Sequence, residues 1–99
     1  MNPSLHIPLE AVRDFCRRHH IRKLSIFGSA LRPDFRPDSD VDVLVEFAPG
    51  RAPGWIGFAA LAVELEGIIG RAVDLRTAAD FSERIRSRVL RESEVQYAA

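Results

Sequence analysis

Two acidic side chains separated by one residue, Asp40 and Asp42, lie in a segment whose hydrophobic pattern predicts a β-strand. From Ser39 to Phe47, apolar and polar residues alternate, which is the period of a strand with one buried face. Successive strand side chains point to opposite faces, so both aspartates share the polar face, about 6.5–7 Å apart along the strand. Mg²⁺ is usually held by one or two carboxylates plus substrate phosphates. The pair therefore indicates a divalent-cation site, although a solvated strand face explains Asp-x-Asp alone equally well.

A Gly-Ser pair ahead of these aspartates supplies the chemistry that such a site lacks. Gly28 and Ser29 end a short apolar segment and precede residues that can start a helical turn. Backbone N–H groups at such a start bind anions, and glycine lets the backbone approach a phosphate closely. Ser29 can donate its hydroxyl, and Arg32 can reach the same anion. Gly-Ser alone is common in ordinary turns, but ten residues separate Ser29 from Asp40, and the combination favours a metal-nucleotide site.

A third carboxylate, Asp74, lies in a second alternating segment, from Arg71 to Arg76. If this strand lies beside the first one and faces the same core, Asp74 falls on the polar face that carries Asp40 and Asp42. Three converging carboxylates are unfavourable without cations, and two-metal sites for nucleotidyl displacement require such a cluster. The alternative is that Asp74 is only the polar side of an edge strand.

The segment Phe27–Arg32, continued by Arg36–Phe47, resembles the signature of the minimal nucleotidyltransferases of the DNA polymerase β superfamily. The stand-alone members of this family are similar to the antitoxins that pair with HEPN-type ribonuclease toxins. The resemblance implies a small mixed β-sheet flanked by helices, an α/β (α+β) fold of the polymerase β type. We expect residues 1–99 to form one minimal nucleotidyltransferase domain.

The same resemblance implies roles for the residues that the motifs contain. Three residues are expected to hold the β- and γ-phosphates of ATP: Gly28, Ser29 and Arg32. Three carboxylates are expected to bind two Mg²⁺ ions and to form the catalytic centre: Asp40, Asp42 and Asp74. Asp74 would complete the metal site and act as, or orient, the base for the acceptor hydroxyl. One departure is Pro33, where relatives often have glycine, because proline fixes φ in this loop.

The function implied is Mg²⁺-dependent transfer of AMP from ATP to a hydroxyl, expected to be a tyrosine of a HEPN-type toxin that this chain would neutralise as an antitoxin. Larger members of the superfamily add a helical domain that holds the acceptor. This chain ends soon after its last predicted helix, so we expect another macromolecule to supply the acceptor, in a homo-oligomer or a complex with the toxin. Two alternatives stay open: a non-catalytic antitoxin that acts by occlusion, and a small-molecule nucleotidyltransferase.

Composition excludes several other classes of protein. The 99 residues are 46% hydrophobic and 28% charged, as in globular proteins. The formal net charge is zero, so no overall field favours direct binding of nucleic acid. The lone Cys16 excludes an internal disulfide and fits a reducing cytosol. No apolar run reaches the length of a membrane span, and no signal-peptide pattern is present. We expect a cytoplasmic protein without membrane contact.

The elements that must position these residues are predicted as about four helices and three strands. One helix is expected from Pro8 to about His20, and another from about Gly57 to Ile69. Asp80 with Glu83 resembles a capping box that would start the last helix.

Three further features receive structural interpretations. Cys16, His19 and His20 lack the four regularly spaced ligands of a structural zinc site. Two arginine-rich stretches, one between Arg13 and Lys23 and the other between Arg84 and Arg91, are interpreted as solvated helix faces, with a docking or nucleic-acid surface as the alternative. Trp55, in a segment rich in proline and glycine, is predicted to anchor the packing of a loop, although its possible proximity to a nucleotide site warrants a test.

Overall fold

A computed structural model describes residues 6–31 and 39–99. In these two stretches four strands form one sheet: β1 (Ile21–Phe27), β2 (Val41–Phe47), β3 (Val73–Arg76) and β4 (Glu94–Ala98). The helices are α1 (Leu9–Arg18), α2 (Trp55–Ile69) and α3 (Glu83–Glu92), and two short 3₁₀ turns cover Gly28–Leu31 and Ala78–Asp80. The predicted small mixed sheet with flanking helices is confirmed. No helix in the described part of the chain combines the length and the apolar character needed to cross a bilayer.

The strand order is β3-β2-β1-β4, so β2 lies between β1 and β3, the two other strands that carry the motifs. β1 pairs antiparallel with both β2 and β4, whereas β2 and β3 are parallel. A parallel pair needs a long connection between its strands, and α2 lies within that connection. The sequence prediction had three strands. It missed β4, which follows α3 after the single residue Ser93.

The hydrophobic core lies on one face of the sheet, beneath α1 and α2. The alternation predicted for β2 is confirmed, because Val41, Val43 and Val45 are buried on this face. From β1, Leu24 pairs with Val45 and Ile26 with Val43, and both are buried as well. The two helices complete the core with these residues: Val12, Phe15, Cys16, Leu61, Leu65 and Ile69. The opposite face of β2 and β3 carries their charged residues, together with Leu44, which is also buried.

Both ends of α1 and the start of α2 differ from the prediction by one or two residues. Pro8 is the residue that caps α1 and is not its first helical residue, and α1 ends at Arg18. α2 begins at Trp55, two residues earlier than expected, and ends at Ile69 as expected. Gly70 caps it, and its φ of +79° is a left-handed conformation that glycine adopts readily. The early start of α2 takes Trp55 out of the loop to which it had been assigned.

The expected capping box between Asp80 and Glu83 is wrong. The carboxylate of Asp80 accepts a hydrogen bond of 2.8 Å from the backbone N–H of Thr77, and so closes the second 3₁₀ turn. The cap of α3 is Ser82, whose hydroxyl accepts from the N–H of Ile85. The carboxylate of Asp80 therefore binds the backbone N–H of Thr77, three residues earlier, and not an N–H group of α3.

The residues around Cys16 have structural partners. Arg18 and His19, at the end of α1, contact the carboxylate of Glu64 on α2 at 2.6 and 2.9 Å. Partial burial raises the pKa of Glu64, but hydrogen bonds from these two side chains outweigh it and leave the pKa lowered. Burial raises the pKa of the Cys16 thiol to about 12. The thiol therefore stays protonated at neutral pH, a form that does not bind metal.

Candidate active site

Asp42 and Asp74 lie directly beside each other on the polar face of the sheet. The parallel register pairs Val41 with Val73 and Asp42 with Asp74. Neighbouring strands are about 4.8 Å apart, so the two carboxylates start from adjacent backbone positions and point to the same side. Both residues are partly exposed. The alignment of the third carboxylate that the sequence suggested is thus the one that the sheet adopts.

Gly28 places the end of β1 against the carboxylate of Asp42. Its φ is +72°, and a Cβ added there would overlap Oδ2 of Asp42 and lie 3.2 Å from its Cγ. No residue other than glycine fits this approach without displacing the aspartate. A 3₁₀ turn begins at Gly28, and the first backbone N–H groups of a helical turn have no partner within it. The main chain of the Gly-Ser motif and the Asp-x-Asp motif are therefore in contact.

The remaining predicted residues are placed to different degrees. Asp40 is exposed and immediately precedes β2, so by parity it lies on the side of Asp42. Ser29 is within the 3₁₀ turn after β1. Arg32 and Pro33 lie outside the described residues, and the role predicted for Arg32 stays a prediction.

An arginine that the sequence reasoning did not single out neutralises Asp74. Arg76 shares the polar face of β3, and its guanidinium donates from Nε to Oδ1 of Asp74 at 3.0 Å and from a terminal nitrogen to Oδ2 at 3.4 Å. Both side chains are partly exposed, at 48% for Arg76 and 40% for Asp74. In the sequence, this contact was indicated only by the two-residue spacing of Asp74 and Arg76, which places both on one face of a strand.

A second unpredicted arginine lies on the β1 side of the site. Arg88 of α3 lines a groove of about 280 Å³ together with Phe27 and Gly28. The arginine-rich stretch that contains Arg88 had been interpreted as a solvated helix face. Arg86 departs from this interpretation as well, because it donates to the backbone carbonyls of Ala78 and Phe81. Arg88 also pairs with Glu92, one helical turn further on, at 3.4 Å, and Glu92 lines the same groove.

The carboxylate oxygens of Asp42 and Asp74 fit a divalent cation, and the guanidinium of Arg76 now balances the charge of Asp74. Two adjacent carboxylates on one face repel each other unless a positive charge lies near, and the guanidinium supplies that charge at Asp74. Within residues 6–31 and 39–99, no three acidic, histidine or cysteine side chains converge closely enough to form a complete metal site. Oxygen ligands from two aspartates, completed by substrate phosphates, match the coordination that Mg²⁺ prefers.

Comparison with known proteins gives the family of this fold and site. Residues 9–96 match the family described as "Nucleotidyltransferase domain". The chain is similar to the protein adenylyltransferase MntA of Thermococcus cleftensis, with 35% identity over 81% of this chain and 79% of that protein. The resemblance that the motifs indicated is confirmed.

Two solved structures share the architecture. One, described as a candidate minimal nucleotidyltransferase, is 40% identical and has a TM-score of 0.71 over 86% of this chain and 85% of the other. Another is a complex of a tri-AMPylated HEPN toxin from Shewanella oneidensis with an MNT antitoxin, at 19% identity and a TM-score of 0.66 over 92% of this chain and 70% of that one. At that identity the likeness shows the fold alone.

Replacing Gly28 with alanine is expected to destabilise the protein more than the same change at Gly50. Both glycines have φ near +70°, at +72° and +75°, but a Cβ at Gly50 meets no atom within 4 Å. Gly50→Ala should lose about 1–2 kcal/mol for the left-handed backbone alone. Gly28→Ala adds the overlap with Asp42. Denaturant unfolding of both variants measures the difference, and equal losses would contradict the close approach of Gly28 to Asp42.

Replacing Arg76 with glutamine is expected to tighten the binding of Mn²⁺ to the nucleotide-free protein. The competing cation at Asp74 is removed, and an exposed ion pair contributes up to about 1 kcal/mol, so affinity should rise about two- to fivefold. Arg22→Gln is the matched control, because Arg22 forms a comparably exposed pair with Glu46 on the same sheet. Titration calorimetry of both variants separates the local effect from the loss of one charge. Equal affinities would show that Arg76 does not compete with the metal.

Proposed function

We propose that this chain, which belongs to the nucleotidyltransferase domain family, transfers AMP from ATP to a hydroxyl group of a partner protein. One observation carries the proposal: Asp42 and Asp74 lie in register on neighbouring strands, with the main chain of Gly28 against Asp42. This arrangement brings the start of a 3₁₀ turn and two carboxylates to one end of the sheet. A nucleotide triphosphate with its metal ions requires both.

The reaction is an in-line displacement at the α-phosphorus of ATP. The acceptor oxygen forms a bond to phosphorus while the bond between that phosphorus and the bridging oxygen breaks, and pyrophosphate leaves. The acceptor proton passes to Asp74 or to a water that Asp74 orients. When bound, two Mg²⁺ ions would neutralise the phosphate charge and help to ionise the acceptor hydroxyl.

The residues of the site would divide into those that bind the metal ions and those that bind the phosphates of ATP. Asp40 and Asp42 would be ligands to both metal ions, and Asp74 would complete the coordination of one. The backbone of Gly28 and Ser29 would hold the β- and γ-phosphates, together with Arg32. Arg88 lines the groove beside Gly28 and would stabilise the charge that develops on pyrophosphate.

The partner proposed is a HEPN-type toxin, modified on a tyrosine, with this chain as its antitoxin. Two observations on other proteins support this assignment. The Thermococcus relative is named a protein adenylyltransferase, and the Shewanella antitoxin is bound to a toxin that carries AMP groups. The proposal places the reaction in the cytoplasm and assigns it to a single domain.

The experiment is intact-mass spectrometry of a HEPN-type protein from the same genome after incubation with ATP, Mg²⁺ and variants of this chain. Wild type should add the mass of one or more AMP groups. Asp42→Asn and Asp74→Asn should each slow transfer by at least about 100-fold, because the first removes a ligand of the metal ions and the second also removes the candidate base.

The control variant is Glu46→Gln, since Glu46 shares the polar face of β2 but pairs with Arg22. It should transfer AMP at nearly the wild-type rate. The affinity for a non-hydrolysable ATP analogue should change little in Asp74→Asn, which separates its role from phosphate binding. Neutralisation of the toxin by Asp42→Asn without any mass change would favour the rival function, in which the chain neutralises the toxin by occlusion.

A further inference from the structure

We propose that the partner polypeptide reaches the site over the exposed edge of β3 and that its tyrosine-bearing segment docks against Trp55 in a groove at that edge. The inference rests on the proposed function and adds to it the direction from which the acceptor arrives and the surface that receives it. It depends on three observations: the strand order, the lining of the groove and the exposure of Trp55.

The strand order fixes the direction of approach. β2, with Asp42, lies between β1, which ends at Gly28, and β3, which carries Asp74. In-line displacement requires the nucleophile and the leaving group on opposite sides of the phosphorus atom. If pyrophosphate leaves over Gly28 on the β1 side, the acceptor oxygen must enter from the β3 side. Among the described strands, β3 is the edge of the sheet on that side.

A groove of about 460 Å³ lies at this edge, and its lining includes Arg76, the ion-pair partner of Asp74. Its wall includes Trp55 and Phe58 from α2, and Leu75 and Arg76 from β3. Arg76 links the two regions, because it lines the groove and its guanidinium also donates to Asp74. A side chain lying in the groove with its polar end toward Arg76 would therefore approach Asp74.

Trp55 is the residue best suited to hold an incoming polypeptide. Its side chain is 93% exposed, so the prediction that it anchors the packing of a loop is wrong. A tryptophan left outside the core offers a large rigid surface, and tryptophan is enriched among the residues that dominate binding energy at protein interfaces. The aromatic rings of Trp55 and Phe58 beside the guanidinium of Arg76 match the apolar ring and the polar hydroxyl of tyrosine.

Another groove on the polar face fits this role less well. It has a volume of about 400 Å³ and is lined by Ser25 and Leu44 of the sheet and by Leu90 of α3. Its lining crosses β1 and β2 and reaches Thr77 and Ala78, just beyond β3, but it includes neither Asp74 nor Arg76. An acceptor in that groove would therefore contact neither the candidate base nor the arginine that pairs with it.

The test compares Trp55→Ala with Ile56→Ala in the transfer assay with the purified HEPN-type protein. Ile56 is the next residue of α2 and is 89% exposed, but it does not line the groove. Trp55→Ala should raise the KM for the protein substrate about tenfold or more, with kcat and the affinity for a non-hydrolysable ATP analogue changed less than about twofold. Ile56→Ala should leave all three values unchanged. Trp55→Phe, which keeps an aromatic ring, should have a KM for the protein substrate close to that of wild type.

Each other outcome overturns the proposal in a distinguishable way. Equal KM values for Trp55→Ala, Ile56→Ala and wild type would show that the acceptor does not use the groove. A loss of ATP-analogue affinity in Trp55→Ala, with the KM for the protein unchanged, would make Trp55 a platform for the nucleotide base. Absence of AMP transfer by wild type would instead refute the proposed function, and the acceptor groove with it. Because both side chains are exposed, circular dichroism should confirm that the variants fold.

Discussion

The parallel register between β2 and β3 is the constraint on which the site depends. It pairs Asp42 with Asp74 because Val41 and Val73 pair one position earlier, and both chains turn their apolar side chains toward the same core. A slip of one residue would move every side chain of β3 to the other face. That slip would bury Asp74 and expose Leu75, so the burial of apolar side chains holds the carboxylates together. The helix α2, which packs on that core, also provides the crossover that a parallel pair requires.

The packing of β2 against β3 places the like charges of Asp42 and Asp74 side by side. Neighbouring groups offset their repulsion. Arg76 neutralises Asp74 from the same strand, and Arg88 lies beside the anion-binding turn at Gly28. The contact of Gly28 with Asp42 leaves no room for a side chain. In a metal-nucleotide complex bound between these groups, the cations would balance the carboxylates and the phosphates would balance Arg88. The site is therefore complementary to a substrate that carries both signs of charge.

The sequence predicted those parts of the structure that depend on local periodicity. Period-two alternation assigned the faces of β2 and β3 correctly, and the motif spacing brought the chain to the right family. Both ends of α1 and the start of α2 were predicted one or two residues away from their positions. The cap at Asp80 was wrong, because a short polar side chain chooses among several nearby backbone groups. β4 was missed, since it follows α3 after one residue and leaves Val95 almost half exposed. The position of Arg88 beside Gly28 depends on how α3 packs against the sheet, which periodicity does not specify, and the exposure of Trp55 likewise depends on packing.

The central claim is that donor and acceptor occupy opposite sides of β2, and an experimental structure with Mg²⁺ and a non-hydrolysable ATP analogue tests it most directly. The account predicts that the β- and γ-phosphates lie against the backbone of Gly28 and that the α-phosphate lies over Asp42 with the metal. Asp74 should then have left Arg76 to face the metal, and the groove beside Trp55 should remain open. Phosphates bound along β3 next to Trp55, with Gly28 uncontacted, would contradict the account.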